Sequence, residues 1–193
     1  MSGEVRIPLA KAKAVADRFL MYVAPYCIVS SIAGSVRREC SMVGDIEVVA
    51  VPKDEFSMGM LFPEGYKGMV VNGSRLKRFK YPEFGLQIEL YITTQEDYGR
   101  ILAIRTGSSA YSHIQLALRW NRLGWCGTED GLRRKVECDH KSTWKIKPEY
   151  KHCPTLPPPF LTEEDFYHFL GVDWIHPRAR SWVSKHSEIN YSR

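Results

Sequence analysis

Apolar residues recur at spacings of three and four through Leu9, Ala12, Ala16, Phe19, Leu20 and Val23, which predicts an amphipathic helix over 9–23 with Pro8 at its start. Residues 26–33 read as a short buried strand, and Gly34-Ser35 breaks it and can open a short helix. Residues 45–51 alternate with a period of two. Asp45, Glu47 and Val49 face one way, and Ile46, Val48 and Ala50 the other. Residues 86–92 alternate again, with Leu86, Ile88, Leu90 and Ile92 opposed to Gln87, Glu89 and Tyr91. Between these two strands, residues 73–81 are polar and basic and suit a hairpin. Beyond them the pattern turns helical, over 95–104 and again over 109–123, where Tyr111, Ile114 and Leu118 would be buried. Residues 154–159, Pro-Thr-Leu-Pro-Pro-Pro, form a stiff extended connector.

This order of elements predicts an α+β fold with a domain boundary near residue 100, dividing the chain into 1–100 and 101–193. All five tryptophans (120, 125, 144, 174 and 182) fall in the second part and read as packing anchors. Charge is also uneven. Residues 1–100 carry 13 basic against 12 acidic side chains and residues 101–193 carry 14 against 10, so the net charge of +5 sits mostly in the second part. Such an excess suits a polyanionic partner and equally a solvated basic surface. The longest apolar stretch, 26–34, is too short to span a bilayer, and the first eight residues lack the apolar core of a signal peptide. A cytoplasmic or nuclear monomer, neither secreted nor membrane-bound, is expected. The five cysteines are odd in number and irregularly spaced, which does not suggest a disulfide framework. Cys126, Cys138, His140, His152 and Cys153 lack the Cys-x2-Cys pairs of a zinc site.

The chemistry concentrates in residues 33–49, Ala-Gly-Ser-Val-Arg-Arg-Glu-Cys-Ser-Met-Val-Gly-Asp-Ile-Glu-Val-Val. Gly34 and Ser35 follow a strand, where a backbone without a side chain can approach a phosphate. Arg37 and Arg38 add guanidinium forks that match phosphate oxygens. Asp45 and Glu47, two apart on a strand, point to one side, and Glu89 supplies a third acid from a second strand. Three carboxylates converging beside a phosphate cradle call for divalent cations. Mg²⁺ takes oxygen ligands and shares its shell with substrate phosphates, and two such ions can activate a hydroxyl and stabilise a leaving pyrophosphate.

The spacing Gly-Ser-x-Arg-Arg-x5-Gly-Asp-x-acid resembles the nucleotidyltransferase signature of the family X DNA polymerases, and the likeness runs along nearly the whole chain. Arg6-Ile7-Pro8 resembles the opening of that family's palm. Residues 86–90, Leu-Gln-Ile-Glu-Leu, resemble the strand of its third acid, and Thr106-Gly107-Ser108 resembles the start of its thumb. Residues 162–171 and 175–180 are similar to its C-terminal signature. The resemblance implies a nucleotidyltransferase palm, a mixed sheet with helices on one face, followed by a small α+β thumb. It implies that Asp45 and Glu47 bind two Mg²⁺ or Mn²⁺ ions, and that Glu89 binds the catalytic one and helps deprotonate a primer 3′-hydroxyl. Arg6, Gly34, Ser35, Arg38 and Gly44 would hold the triphosphate of a deoxynucleoside triphosphate. Thr106, Gly107 and Ser108 would lie against its sugar and base. Because the likeness begins at the palm, the expected enzyme is a palm-plus-thumb form without a lyase domain or helix-hairpin-helix clamps.

The departures are specific. Glu47 and Glu89 stand where the family usually has Asp, and Glu39 stands where Gly often follows the Arg pair. Ile104-Arg105 replaces the aromatic pair that commonly precedes Thr-Gly-Ser, and Gln87 replaces a basic residue two before the third acid. DNA, as primer-template or gapped duplex, is the expected partner. Arg119, Arg122, Arg133 and Arg134 cluster after the thumb turn as candidates for its phosphates. Arg75, Lys77 and Arg78 could track a strand or simply solvate a hairpin. The expected activity is templated short-gap filling in repair or replication. The alternatives are untemplated terminal transfer, another nucleotide acceptor, or a DNA-binding module without turnover.

Overall fold

The computed structural model describes residues 5–54, 59, 61–62, 67–81, 85–140 and 143–181. Trp182, anticipated as a packing anchor, lies outside the described residues. The fold is mixed α+β around a five-stranded sheet. After a short strand β1 (Ile7–Pro8), helix α1 spans Leu9–Val23. Strand β2 (Cys27–Ile32) leads into the one-turn helix α2 (Gly34–Arg37). Strands β3 (Met42–Val43), β4 (Asp45–Pro52), β5 (Met69–Asn72), β6 (Leu76–Lys80) and β7 (Gln87–Ile92) follow. The spatial order is β2-β4-β7-β6-β5. Strands β4 and β7 run parallel, and the remaining neighbours in the sheet are antiparallel.

The alternating pattern does what its period requires. Ile46, Val48 and Ala50 of β4 and Ile88 and Leu90 of β7 point to one face, where Ala12, Val15, Ala16, Phe19 and Val23 of α1 cover them. The other face changes character along the strands. It is acidic at Asp45, Glu47 and Glu89 and becomes apolar at Val49, Val51 and Tyr91, where Tyr98 and Leu102 pack on it. Those two residues belong to helix α3 (Tyr98–Thr106), so helices cover both faces of the sheet, not the single face expected. The reason is local: two valines and a tyrosine continue the acid-bearing strands, and that apolar stretch needs its own cover.

Helix α3 is shared between two cores. Leu102 joins the sheet cluster, while Ala103 joins a second cluster with Tyr111, Leu116, Trp120, Trp125, Phe160, Phe166 and Tyr167. Its first turn is closed from outside: the Gly99 amide donates to the Phe160 carbonyl at 2.7 Å. A Cβ at Gly99 would lie 1.8 Å from the Thr162 carbonyl oxygen, so this backbone approach requires glycine. After Ser108, whose side chain accepts from the Tyr111 amide, the helical stretch 109–122 contains α4 (Ser109–Tyr111), a π-helical segment Ser112–Ala117 and α5 (Leu118–Arg122). The wider π turn shifts the phase. The buried positions are Tyr111, Leu116 and Trp120, a step of five and then four, whereas Ile114 and Leu118 are half-buried.

Two hairpins follow, β8 (Trp125–Thr128) with β9 (Gly131–Arg134) and β10 (Cys138–His140) with β11 (Trp144–Ile146). Helix α6 (Glu163–Phe169) then begins with a reciprocal cap: the Thr162 side chain accepts from the Asp165 amide, and Asp165 from the Thr162 amide. Its first residue is the hub of a buried ion cluster. Glu163 accepts both nitrogens of the Arg37 fork at 2.8 Å and the Arg180 fork at 2.5 and 3.1 Å, and Trp174 Nε1 also donates to it at 3.2 Å. Burial pushes the Glu163 carboxyl up, but the bonds and charges of Arg180 and Arg37 outweigh it and hold the group below the usual carboxylate range.

Arg180 is fully buried and Glu163 nearly so. Glu163→Ala would strand two guanidiniums and is expected to destabilise the fold by about 3–5 kcal/mol, measured as a shift in the urea midpoint. An unchanged midpoint would show that the cluster holds nothing together.

Candidate active site

The parallel register of β4 and β7 decides which acids meet. Asp45 pairs with Gln87, Glu47 with Glu89 and Val49 with Tyr91. Antiparallel β6 then sets Arg78 beside Glu89. Glu47, Glu89 and Arg78 therefore form one row across three strands, with Asp45 one step along the same face.

Glu89 is buried and its carboxylate is held on every side. Oε1 accepts from Arg78 Nε at 2.7 Å and from Gln87 Nε2 at 2.8 Å, while Oε2 accepts from the Tyr91 hydroxyl. Burial, reinforced by that bond, pushes the Tyr91 phenol well up from its ordinary value. The Arg105 guanidinium stacks 3.8 Å above the Tyr91 ring, and its Nε is buried without a hydrogen-bond partner among the described residues. Among the described residues, Glu47 has no such ring of donors. Burial, then the charge of Asp45, pushes its carboxyl up to about 8, against the opposing pull of Arg105 and Arg38.

The Gly-Ser turn abuts these acids. Gly34 has φ +60°, and a Cβ there would lie 2.0 Å from Glu47 Oε2, so only glycine brings this backbone against the carboxylate. The Ala33 amide donates to the Glu47 carbonyl at 2.8 Å and fixes the approach. Ser35 Oγ is buried with no hydrogen-bond partner among the described residues. The pairing of Ile7 with Val43 runs Arg6, which is exposed, toward Gly44. Glu39 adopts φ +58°, a conformation that favours glycine, and its carboxylate meets Arg178.

The arginine pair divides its work. Arg37 turns away from the acids to Thr106 Oγ1 (2.6 Å) and Glu163. Arg38 donates to the Thr106 carbonyl at 2.7 Å and to Ser181 Oγ at 3.1 Å. These bonds bring the Thr106-Gly107-Ser108 turn beside α2. Thr106 is fully buried, and the Ser108 side chain is engaged as a helix cap. Among the basic candidates, Arg75 pairs with Asp130 at 2.9 Å and Lys77 donates to Asn72 Oδ1 at 2.6 Å. Arg122 and Arg134 are exposed, the latter stacked 4.2 Å over Trp125. Arg119 donates to Gln115 at 3.3 Å and Arg133 to the Leu132 carbonyl at 2.8 Å. Arg78 is at the acid row itself, a position its place in a basic run did not reveal. Arg105, Glu163 and Arg180 were also missed as partners of site residues. Tyr91 was legible, since it shares its alternation phase with Glu89.

Among the described residues, no three side chains of metal-ligating type gather closely enough to hold an ion. Glu89 stays beside Glu47 in the register while its carboxylate is engaged by Arg78, Gln87 and Tyr91. Asp45 and Glu47 still fit a hard divalent cation. Both are oxygen donors on one face, and the raised Glu47 acid marks a place where positive charge would be favourable.

A raised acid makes the folded state bind a proton that the unfolded state releases. Without divalent cations, stability is therefore expected to fall as pH rises from about 4.5 to about 8, and the Glu47→Gln variant should lose that slope. Thermal melts across this range in chelator check it; equal slopes in both proteins would refute the assignment. In comparisons with known proteins, no family model matches the chain and no curated protein matches it.

Proposed function

We propose that the chain is a metal-dependent nucleotidyltransferase, a minimal DNA polymerase of the family X kind. Residues 1–100 would form its palm and residues 101–193 its thumb. One observation supports the reading most: Asp45 and Glu47 share a strand face against a positive-φ glycine, beside a buried serine hydroxyl with no partner among the described residues. A strand acid pair touching a bare backbone turn suits a substrate that carries both metal and phosphate. The extended likeness of the sequence, from Arg6 to Arg180, narrows the class to polymerases.

In this reading Asp45 and Glu47 hold the divalent ions, which when bound polarise the triphosphate and lower the pKa of the attacking hydroxyl. The other roles belong to the chain. The Gly34 and Ser35 amides and Ser35 Oγ receive phosphate oxygens, and Arg6 and Gly44 flank them. Arg38 reaches the same loop from its anchor on Thr106. Glu89, opposite Glu47 in the register, would bind the catalytic ion and help deprotonate the primer 3′-hydroxyl. Thr106, Gly107 and Ser108 present a backbone turn to the sugar. Exposed Arg122 and Arg134 carry the DNA backbone, with Arg119 and Arg133 beside them. Catalysis would be chiefly positioning and electrostatics.

The capture of Glu89 by Arg78 favours a second reading, a nucleotide- and DNA-binding module without turnover. One experiment separates the two. A labelled primer on a one-nucleotide-gapped duplex is offered each deoxynucleotide singly, with Mg²⁺ and then Mn²⁺. Template-matched incorporation that Asp45→Ala lowers at least about a thousandfold is expected, since the variant loses a ligand to the ions. Incorporation regardless of template would indicate a terminal transferase. Metal-dependent nucleotide binding with no incorporation would establish the second reading, and full activity in Asp45→Ala would overturn the site.

A further inference from the structure

Glu89 presents an unusual balance for an acid expected to hold a metal. Its oxygens already accept three hydrogen bonds, and the strongest comes from a guanidinium. The two partners differ in freedom. The Glu89 side chain is 6% exposed, whereas that of Arg78 is 33% exposed and has a path to solvent. A divalent cation drawn to the Glu89 oxygens would sit next to the Arg78 charge on the same carboxylate, and the two cations repel. Arg78 and the ion are therefore alternative occupants of Glu89. Gln87 and Tyr91 are neutral donors, and their bonds to Glu89 carry no such repulsion.

We propose that Arg78 is a positioning residue that competes with divalent cations for Glu89. Its guanidinium holds the acid between β6 and β7, and completion of the metal site exchanges Arg78 for the ion. The exchange sets a threshold. Asp45 and Glu47 take up a cation first, and Glu89 joins only when the local positive charge suffices to release Arg78. The site is then assembled at the moment it is loaded. This inference rests on the nucleotidyltransferase reading above.

The test is Mn²⁺ binding without nucleotide, read from free Mn²⁺ by electron paramagnetic resonance. Wild type, Arg78→Gln, Arg78→Lys and Asp45→Ala are compared, with folding confirmed by circular dichroism. Arg78→Gln is expected to bind Mn²⁺ at least about tenfold more tightly than wild type, the range set by one hydrogen bond to a charged group. Arg78→Lys keeps the charge but surrenders the fork, and should fall between them; if Arg78→Gln does not fold, tighter binding by Arg78→Lys carries the same conclusion. A simple loss of nearby positive charge would tighten binding in Arg78→Gln but leave Arg78→Lys like wild type, whereas competition for the carboxylate tightens both. Equal or weaker binding in the Arg78 variants, with wild type binding normally and Asp45→Ala defective, would overturn the competition and leave the nucleotidyltransferase reading standing. No Mn²⁺ binding by wild type would overturn both.

Discussion

The buried cluster of Arg37, Glu163 and Arg180 is the constraint on which the arrangement of this molecule depends. One carboxylate, supplied by the first residue of α6, is gripped by a guanidinium from the Gly-Ser loop and by another from the C-terminal segment. Arg37, 126 positions from Glu163, and Arg180, 17 positions from it, are thereby fixed to one point. An ion cluster is a poor source of net stability, because desolvation offsets its attraction. It is a strong source of specificity, since any arrangement that separates the partners leaves a charge buried alone. The Arg37 fork also reaches Thr106, so the same cluster sets the Thr-Gly-Ser turn beside the Gly34-Ser35 turn.

Around this anchor, the acid row is held together by counter-charges within the protein. Like charges on adjacent strands would repel across the parallel register, which brings Glu47 directly beside Glu89. Two effects relieve that. Glu89 is neutralised by Arg78 and bonded by Gln87 and Tyr91, while Glu47 is displaced toward its protonated form by burial and by Asp45. Arg105, stacked on Tyr91, adds positive charge from the other side. The result is an acid row whose charges are balanced within the protein, by protonation at Glu47 and by the Arg78 guanidinium at Glu89.

Helix α3 links this site to the second half of the chain. It lies against the apolar end of the acid-bearing strands through Leu102 and against the second core through Ala103. It ends at Thr106, whose carbonyl and hydroxyl receive Arg38 and Arg37. Among the described residues no helix is long and apolar enough to cross a membrane.

The sequence by itself determined the elements and their faces. The three-and-four spacing of α1 and the period of two in β4 and β7 report local geometry, so Ala12, Ala16, Ile46, Val48, Ile88 and Leu90 could be placed in the core from their spacing alone. The same periodicity put Asp45 and Glu47 on one face, and Gly34 was legible because a turn that touches another group needs a residue without a side chain. What the tertiary structure decided is partnership. The π turn moved burial to Leu116 and Trp120, because an extra residue per turn leaves no periodic trace. Val49, Val51 and Tyr91 required a helix on the second face, a demand that appears only when the strands lie side by side. The strand register gave Glu89 to Arg78, and the fold gave Arg37 to Glu163, 126 positions away. Spacing along a chain records which way a side chain points, but a charge pairs with whatever the fold brings within reach.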